Sequence, residues 1–301
     1  MIKRVYVKSV NHLIKNPFLN KVKAAQFLWN HFSFLKDFYY ECRDLPDFLA
    51  IENIGECNRR CPYCPHYWSP RNRNQMPEPI FKKIVDDLGD SDYRGRIFLA
   101  PWGEALLDTR LPSLVRYARK KIPGCFIEVQ TNGDLLTYEK FRELVSAGVN
   151  EFHVSEHYKI MDGRYVIDEP KQDVRKFLEL DKENRKLFHF DDRNSKRVMR
   201  MDRFHNRSGL VPLKDEISIK DLCRICDLPE AILSINYKGD VVLCARQWKD
   251  DPTYGNVMDE RLTTIWNHVE YRRIRKELRK GIFNLDLCKS CNFGYLPDAF
   301  K

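Results

Sequence analysis

Short, nearly unbroken apolar runs alternate along most of this chain with longer segments whose apolar residues recur every three or four positions. The first pattern reads as strands buried on both faces, the second as helices with one apolar stripe. Residues 47–55 (DFLAIENIG) predict a first strand and 77–90 (PEPIFKKIVDDLGD) a helix. The rhythm repeats in 95–107 (GRIFLAPWGEALL) and 111–123, in 125–134 (CFIEVQTNGD) and 138–148, and in a fourth strand at 151–158 (EFHVSEHY). Residues 174–186 predict a further helix, 186–192 (KLFHFDD) a fifth strand and 198–209 (VMRMDRFHNRSG) a sixth. Such alternation predicts an α/β fold, a parallel sheet with crossover helices. Beyond it, 233–237 and 240–243 predict a hairpin, with a helix over 261–281 behind it.

Length then sets the domain count. With 301 residues, 43% of them hydrophobic, the chain supports one large domain and a smaller one. The boundaries expected are 1–45 for a basic N-terminal extension, 46–215 for the main domain and 216–301 for the small one. No apolar run reaches the roughly 20 residues of a membrane span, and the N-terminus lacks a secretory signal, so a cytoplasmic location is expected. A net charge of +9 raises the question of nucleic acid. The basic residues are interleaved with acids and carry no RNA-binding aromatic signature, so that partner is not expected. The basic excess is densest in residues 1–36, where apolar residues recur at helical spacing. That segment either makes a peripheral contact with an anionic membrane surface or packs its apolar face on the main domain.

Cysteine changes the picture most. Ten are present, and in an intracellular-looking chain with C-x-x-C spacings they point to metal instead of disulfides. Cys57, Cys61 and Cys64 crowd into eight residues just after the first strand. Three thiolates hold a four-iron cube and leave one iron open to a substrate or cofactor, a catalytic arrangement. A second group, Cys223, Cys226, Cys244, Cys288 and Cys291, occupies the last third. Four thiolates there satisfy either an iron–sulfur cluster or a zinc ion. Zinc would make the chain a zinc-stabilised, non-catalytic binding protein. Cys42 and Cys125 read as core residues.

Cys57-x-x-x-Cys61-x-x-Cys64, with Tyr63 before the last cysteine, resembles the motif of the radical S-adenosylmethionine (radical SAM) superfamily. The resemblance covers about residues 45–210 and implies a partial (β/α)6 barrel. It also implies a 4Fe-4S cluster on Cys57, Cys61 and Cys64 whose open iron binds S-adenosylmethionine. Pro101-Trp102-Gly103-Glu104 resembles the family's Gly-Gly-Glu motif, with Trp102 in place of the first glycine; Gly103 and Glu104 are then expected at the cofactor's amino group. Asn132 of Thr131-Asn132-Gly133, Ser155 on the fourth strand and Tyr63 near the adenine complete the implied cofactor contacts. The C-terminal order of Cys226, Gly239-Asp240, Cys244, Trp266 and the final C-x-x-C resembles the auxiliary-cluster domains called SPASM and twitch, with the shorter twitch form the better fit. One auxiliary 4Fe-4S cluster on Cys226, Cys244, Cys288 and Cys291 is implied. Cys223 then replaces Cys226 at a corner, sits inert in the core, or donates hydrogen to a substrate radical.

An auxiliary cluster that accepts a substrate electron makes the reaction an oxidation of alcohol to ketone, whereas a thiol that returns hydrogen makes it an epimerisation. The resemblance implies a small-molecule or carbohydrate substrate such as a sugar or aminocyclitol, lipid-linked if residues 1–36 touch a membrane. Modification of a ribosomally made peptide is the alternative. A reducing partner such as flavodoxin or ferredoxin is implied by the same chemistry. Arg203, His205, Asn206 and Arg207 are either substrate contacts or a hinge. Tyr295 and Asp298 are candidates for proton transfer, and Arg59 and Arg60 either offset cluster charge or are solvated.

Overall fold

The structure, a computed structural model, describes residues 38–70, 75–155, 157–161, 164–168, 174, 181, 183–191, 206–212 and 225–292. Residues 1–36, with their membrane or packing alternatives, lie outside the described residues, as do Arg203, His205, Cys223, Tyr295 and Asp298. Residues 1–46 and 47–301 form two compact units, and all that follows concerns the second.

Five strands, β1 (Phe48–Ile51), β2 (Arg96–Leu99), β3 (Phe126–Thr131), β4 (Glu151–Ser155) and β7 (Phe188–Asp191), pair in parallel in that order. β8 (Ile232–Ile235) pairs in parallel with the other side of β1, and β9 (Asp240–Val242) and β10 (Thr253–Asn256) continue antiparallel. The result is one eight-stranded sheet, ordered β10-β9-β8-β1-β2-β3-β4-β7. Leu49, Ala50, Ile51, Ile97, Leu99, Ile127 and Val129 are all inaccessible to solvent. Burial on both faces is why these strands read as unbroken apolar runs instead of alternating ones.

The crossover helices follow their apolar stripes. In α2 (Glu78–Asp90) the buried Phe81, Ile84, Val85 and Leu88 recur at i, i+3, i+4 and i+7, as do Leu111, Leu114, Val115 and Ala118 in α3 (Leu111–Lys121). α3 ends on Arg119, Lys120 and Lys121, cations suited to a helix C-terminus. In α4 (Tyr138–Ala147), Thr137 caps the start by accepting from Lys140 N, and Gly148 closes the end at φ 111°. A four-residue helix, α1 (Pro65–Trp68), precedes these, directly after Cys64.

Four segments differ from the sequence reading. Residues after β4 form a hairpin of β5 (His157–Met161) and β6 (Arg164–Asp168) instead of ending one strand at 158. Of the helix expected over 174–186, Glu183–Leu187 is a 3-10 turn, started afresh because Asp181 accepts from Asn184 N and Nδ2. Of the sixth expected strand, only 206–209 are described, and they form a turn. The helix expected over 261–281 divides at His268 into α6 (Leu262–Asn267) and α7 (Val269–Arg279). The buried positions explain the break: Trp266 and Tyr271 are five residues apart, out of phase for one helix face, and the extended backbone of His268 brings both inward. Short helices α5 (Leu228–Ala231) and α8 (Asp286–Lys289) flank the C-terminal strands.

Candidate active site

The first cysteine group lies in the loop leaving the C-terminal end of β1, where ligands of parallel sheets gather. The loop is fixed by backbone: Glu52 N donates to Ile235 O (2.9 Å), Ile54 bridges to Gln75, and Glu104 N donates to Glu56 O (2.7 Å). Cys64 N closes a turn on Cys61 O (2.9 Å). Burial, reinforced by neighbouring thiols, pushes the Cys57 thiol up to about 11 and the Cys61 thiol to about 12. As bare thiolates the three would repel one another in a poorly solvated pocket, and a bound cationic metal centre removes that penalty.

The end of β2 packs directly on this loop. A side chain at Gly103 would bring its Cβ within 2.4 Å of Ile54 O and 2.7 Å of Glu56 O, so only glycine permits the approach. Ala100, three residues earlier, holds the left-handed conformation (φ 58°). Glu104 is 1% exposed; its Oε1 accepts from Leu106 N (3.1 Å) and Thr131 Oγ1 (2.7 Å), and its Oε2 from Asn132 N (2.7 Å). The carboxylate thus ties the end of β2 to the end of β3 and keeps one acceptor direction free on Oε2, the place for an ammonium. Burial raises its pKa above the usual glutamate value, against the pull of those three donors.

Asn132 reaches the cysteine loop itself, donating to Asn58 Oδ1 (2.8 Å) and lying 3.9 Å from Cys57 Sγ. Tyr63 hydroxyl and His157 Nδ1 are 2.9 Å apart, and the same nitrogen is 3.5 Å from Cys61 Sγ. Ser155 is half-buried at the end of β4. The structure therefore gathers Cys57, Cys61, Cys64, Tyr63, Gly103, Glu104, Asn132 and Ser155 at one end of β1–β4. Trp102, which stands where the family motif has glycine, is buried with Val242 and Trp248; His66 Nε2 lies 2.7 Å from its carbonyl and packs edge-on against Trp248. That aromatic cluster joins the cysteine loop to the β9 hairpin.

One part of the site escapes the sequence reading. Arg59 donates through Nε and Nη2 to Asp134 and through Nη1 to Asp168, binding the cysteine loop to the turn after β3 and to the β5–β6 hairpin. Its side chain is 9% exposed, so it is neither free nor solvated. Asp134 directly follows Thr131-Asn132-Gly133, and an acidic residue closing that turn is the signal an arginine two residues after Cys57 could have been matched to. His157, on the unexpected hairpin, is the other omission.

The second cysteine group lines a small, partly open cavity. Cys226, Cys244, Cys288 and Cys291 line it together with Leu228, Leu243, Leu278, Phe283, Ser208 and Arg246. Cys226 N donates to Leu278 O (2.9 Å), which seats its loop on α7, and Cys244 follows β9. Burial and the adjacent thiols raise Cys226 to about 12 and Cys244 to about 11. Asn206 is fastened to the terminal C-x-x-C: its N–H donates to Asn292 Oδ1 (2.9 Å) and its Nδ2 to Ser290 O (2.6 Å). Arg207 reaches Ala245 O (3.4 Å). Cys125 is buried in the core as expected, whereas Cys42 is half-buried.

Two family models match the chain, the radical SAM superfamily over residues 54–157 and the SPASM iron–sulfur cluster-binding domain over residues 223–292. The chain belongs to the radical SAM superfamily. Its cofactors are therefore S-adenosylmethionine, a 4Fe-4S cluster and auxiliary iron–sulfur, and it is an enzyme. The residues fit these groups: three thiols stand beside a buried carboxylate with one free acceptor direction, and four thiols enclose a largely apolar cavity. Among the described residues, no three Cys, His or carboxylate donors converge on a single-ion position. This radical SAM chain is 28% identical over 247 residues to the S-adenosyl-L-methionine-dependent 2-deoxy-scyllo-inosamine dehydrogenase of Niallia circulans, covering 81% of this chain and 92% of that one. A crystal structure of BtrN in complex with AdoMet and 2-DOIA superposes with a TM-score of 0.70 at 26% identity, over 82% of this chain and 93% of that one. Native anSMEcpe with bound AdoMet shares the fold, with a TM-score of 0.53 at 14% identity over 80% and 88% of the two chains. No described helix is long and apolar enough to cross a membrane.

Proposed function

We propose that this enzyme is a radical SAM dehydrogenase that oxidises a hydroxyl-bearing carbon of an aminocyclitol or a related polyhydroxylated small molecule. The observation that carries the reading is the second cavity, where four thiols leave no corner of a 4Fe-4S cluster open to substrate. Similarity across 81% of the chain to a 2-deoxy-scyllo-inosamine dehydrogenase supports the substrate class. Cys57, Cys61 and Cys64 would hold the first cluster, and Cys226, Cys244, Cys288 and Cys291 the auxiliary one. When bound, S-adenosylmethionine at the first cluster supplies a 5′-deoxyadenosyl radical for hydrogen abstraction, and the auxiliary cluster supplies an acceptor for the second electron of the alcohol-to-ketone oxidation.

The chain's own residues position and exclude. Glu104 receives the cofactor's ammonium on Oε2 while its three protein donors hold the carboxylate still. Gly103 lets that strand end lie against the cysteine loop, and Asn132 braces the same loop through Asn58. Ser155 and Tyr63 line the remaining cofactor side, with the Tyr63 hydroxyl fixed by His157. An acidic flavodoxin or ferredoxin in the cytoplasm is the reducing partner this chemistry calls for.

Anaerobic reconstitution, with iron counting and a product assay on a panel of aminocyclitols, tests the reading. About eight irons per chain are expected, falling to about four in the Cys57→Ala/Cys61→Ala/Cys64→Ala variant with loss of 5′-deoxyadenosine. Ketone and 5′-deoxyadenosine in equal amounts support dehydrogenation. Solvent deuterium at an inverted carbon would instead make the enzyme an epimerase, and zinc in the second site would remove its electron acceptor.

A further inference from the structure

Residues 207–209 hold a conformation that their side chains do not favour. Arg207, Ser208 and Gly209 stand consecutively at φ 47°, 58° and 83°, and only the last is glycine. The turn is kept there by the terminal cysteine segment. Asn206 and Asn292 exchange backbone-to-amide hydrogen bonds (2.9 and 3.1 Å), and Ser290 Oγ donates to Ser208 O (3.0 Å). Packing at Gly209 is close, since a Cβ there would stand 3.1 Å from Ser290 Cβ.

This strained turn carries a second anomaly. Ser208 lines the cavity of the four thiols, and its Oγ is shielded from solvent without a hydrogen-bond partner. A buried hydroxyl without a partner is costly, and so is a left-handed serine; strain of this kind persists where the surroundings enforce it, commonly at functional sites. Apart from the four thiols and Arg246, the residues that share the lining with it are apolar, Leu228, Leu243 and Leu278 among them, and offer the hydroxyl nothing. An acceptor occupying the cavity itself would satisfy it.

We propose that Ser208 Oγ–H donates a hydrogen bond to a sulfur of the auxiliary cluster, and that the turn at 206–209, pinned by Asn292 and Ser290, aims it. The inference rests on the reading above that Cys226, Cys244, Cys288 and Cys291 hold a cluster. A donor at a cluster sulfur favours the more negative, reduced form and raises the reduction potential. Ser208 is thus a positioning and tuning residue that makes the auxiliary cluster a better electron acceptor.

The test is an EPR-monitored redox titration in the Cys57→Ala/Cys61→Ala/Cys64→Ala background, where only the auxiliary cluster titrates, with and without Ser208→Ala or Ser208→Gly. Alanine keeps the Cβ and so the backbone strain, whereas glycine relieves it. Both variants are expected to retain about four irons and to shift the midpoint potential downward by the same amount, on the order of a tenfold change in the reduction equilibrium, or about 59 mV for one electron. An unchanged potential at full iron content overturns the proposal, as does a shift in the glycine variant alone, which would assign the effect to the backbone. Loss of iron in Ser208→Ala would make the residue structural. Zinc in the unsubstituted background would refute the underlying cluster reading instead, and is distinguished by metal analysis.

Discussion

Gly103 and Ala100 make opposite demands on the strand end they share. At Gly103 a Cβ would overlap two backbone carbonyls of the cysteine loop, which cannot move aside as a flexible side chain would. Gly103→Ala is expected to cost about 1–3 kcal/mol as overpacking, to lower the melting temperature by several degrees, and to reduce iron uptake at the first site. Ala100 already carries the penalty of a left-handed residue, about 1–2 kcal/mol, of which glycine's greater unfolded freedom offsets about 0.5–1 kcal/mol. Thermal melts of Ala100→Gly should therefore show no loss and a gain of a few degrees at most; a clear drop would contradict the strain argument. Glu104 adds a pH dependence. Its pKa is raised, chiefly by burial, so its carboxyl favours the protonated folded state. Stability from this group is full below the ordinary glutamate pKa and is lost as pH rises through the raised value. S-adenosylmethionine, whose ammonium is proposed to lie on this carboxylate, should bind more tightly across that same rise, and equilibrium dialysis against pH should show the slope vanish in Glu104→Gln.

Between elements, the strongest contacts around the first site are ionic. Asp134 is almost wholly buried beside Arg59, while Asp168 remains 38% exposed at the hairpin. Arg59→Ala leaves a buried carboxylate without its counter-ion and is expected to cost about 3–5 kcal/mol, whereas Asp168→Ala should cost less than about 1 kcal/mol. Equal losses in denaturant melts of the two would show that the hairpin, not the loop, is what Arg59 stabilises. This network also marks where sequence reading stops. The parallel strands and both thiol groups were legible because continuous apolar runs and close cysteine spacings are local signals. The β5–β6 hairpin carried a signal as well, Asp162-Gly163 between apolar residues, a common hairpin turn. Reading 151–158 as the end of a unit passed over it. Arg59 with Asp134 and Asp168, and Ser208 with Ser290, join residues tens of positions apart, and apart from the acidic residue that closes the Thr131-Asn132-Gly133 turn nothing in the local sequence announces the partner. The break at His268 was hidden for another reason: each half of 261–281 is a good helix, and only the phase between Trp266 and Tyr271 betrays two.

Across the whole 47–301 unit, the β8 strand next to the auxiliary cavity is paired with β1, the strand that launches the first cysteine loop. Removing residues 225–301 would strip a neighbour from β1 and expose Leu49 and Ile51, which are wholly buried. A chain ending at 224 is therefore expected to aggregate or to lose iron at the first site, and a soluble, S-adenosylmethionine-cleaving truncation would show that the sheet tolerates the cut. Anyone building hybrids among relatives inherits a stricter condition. β8 meets β1 as Leu49 with Leu233, Ala50 with Ser234 and Ile51 with Ile235, and all six are shielded from water. A transplanted C-terminal half entering one position early or late would turn every side chain of β8 to the opposite face. Successful recombination in this scaffold is thus a matter of counting residues into that strand, whatever linker joins the parts.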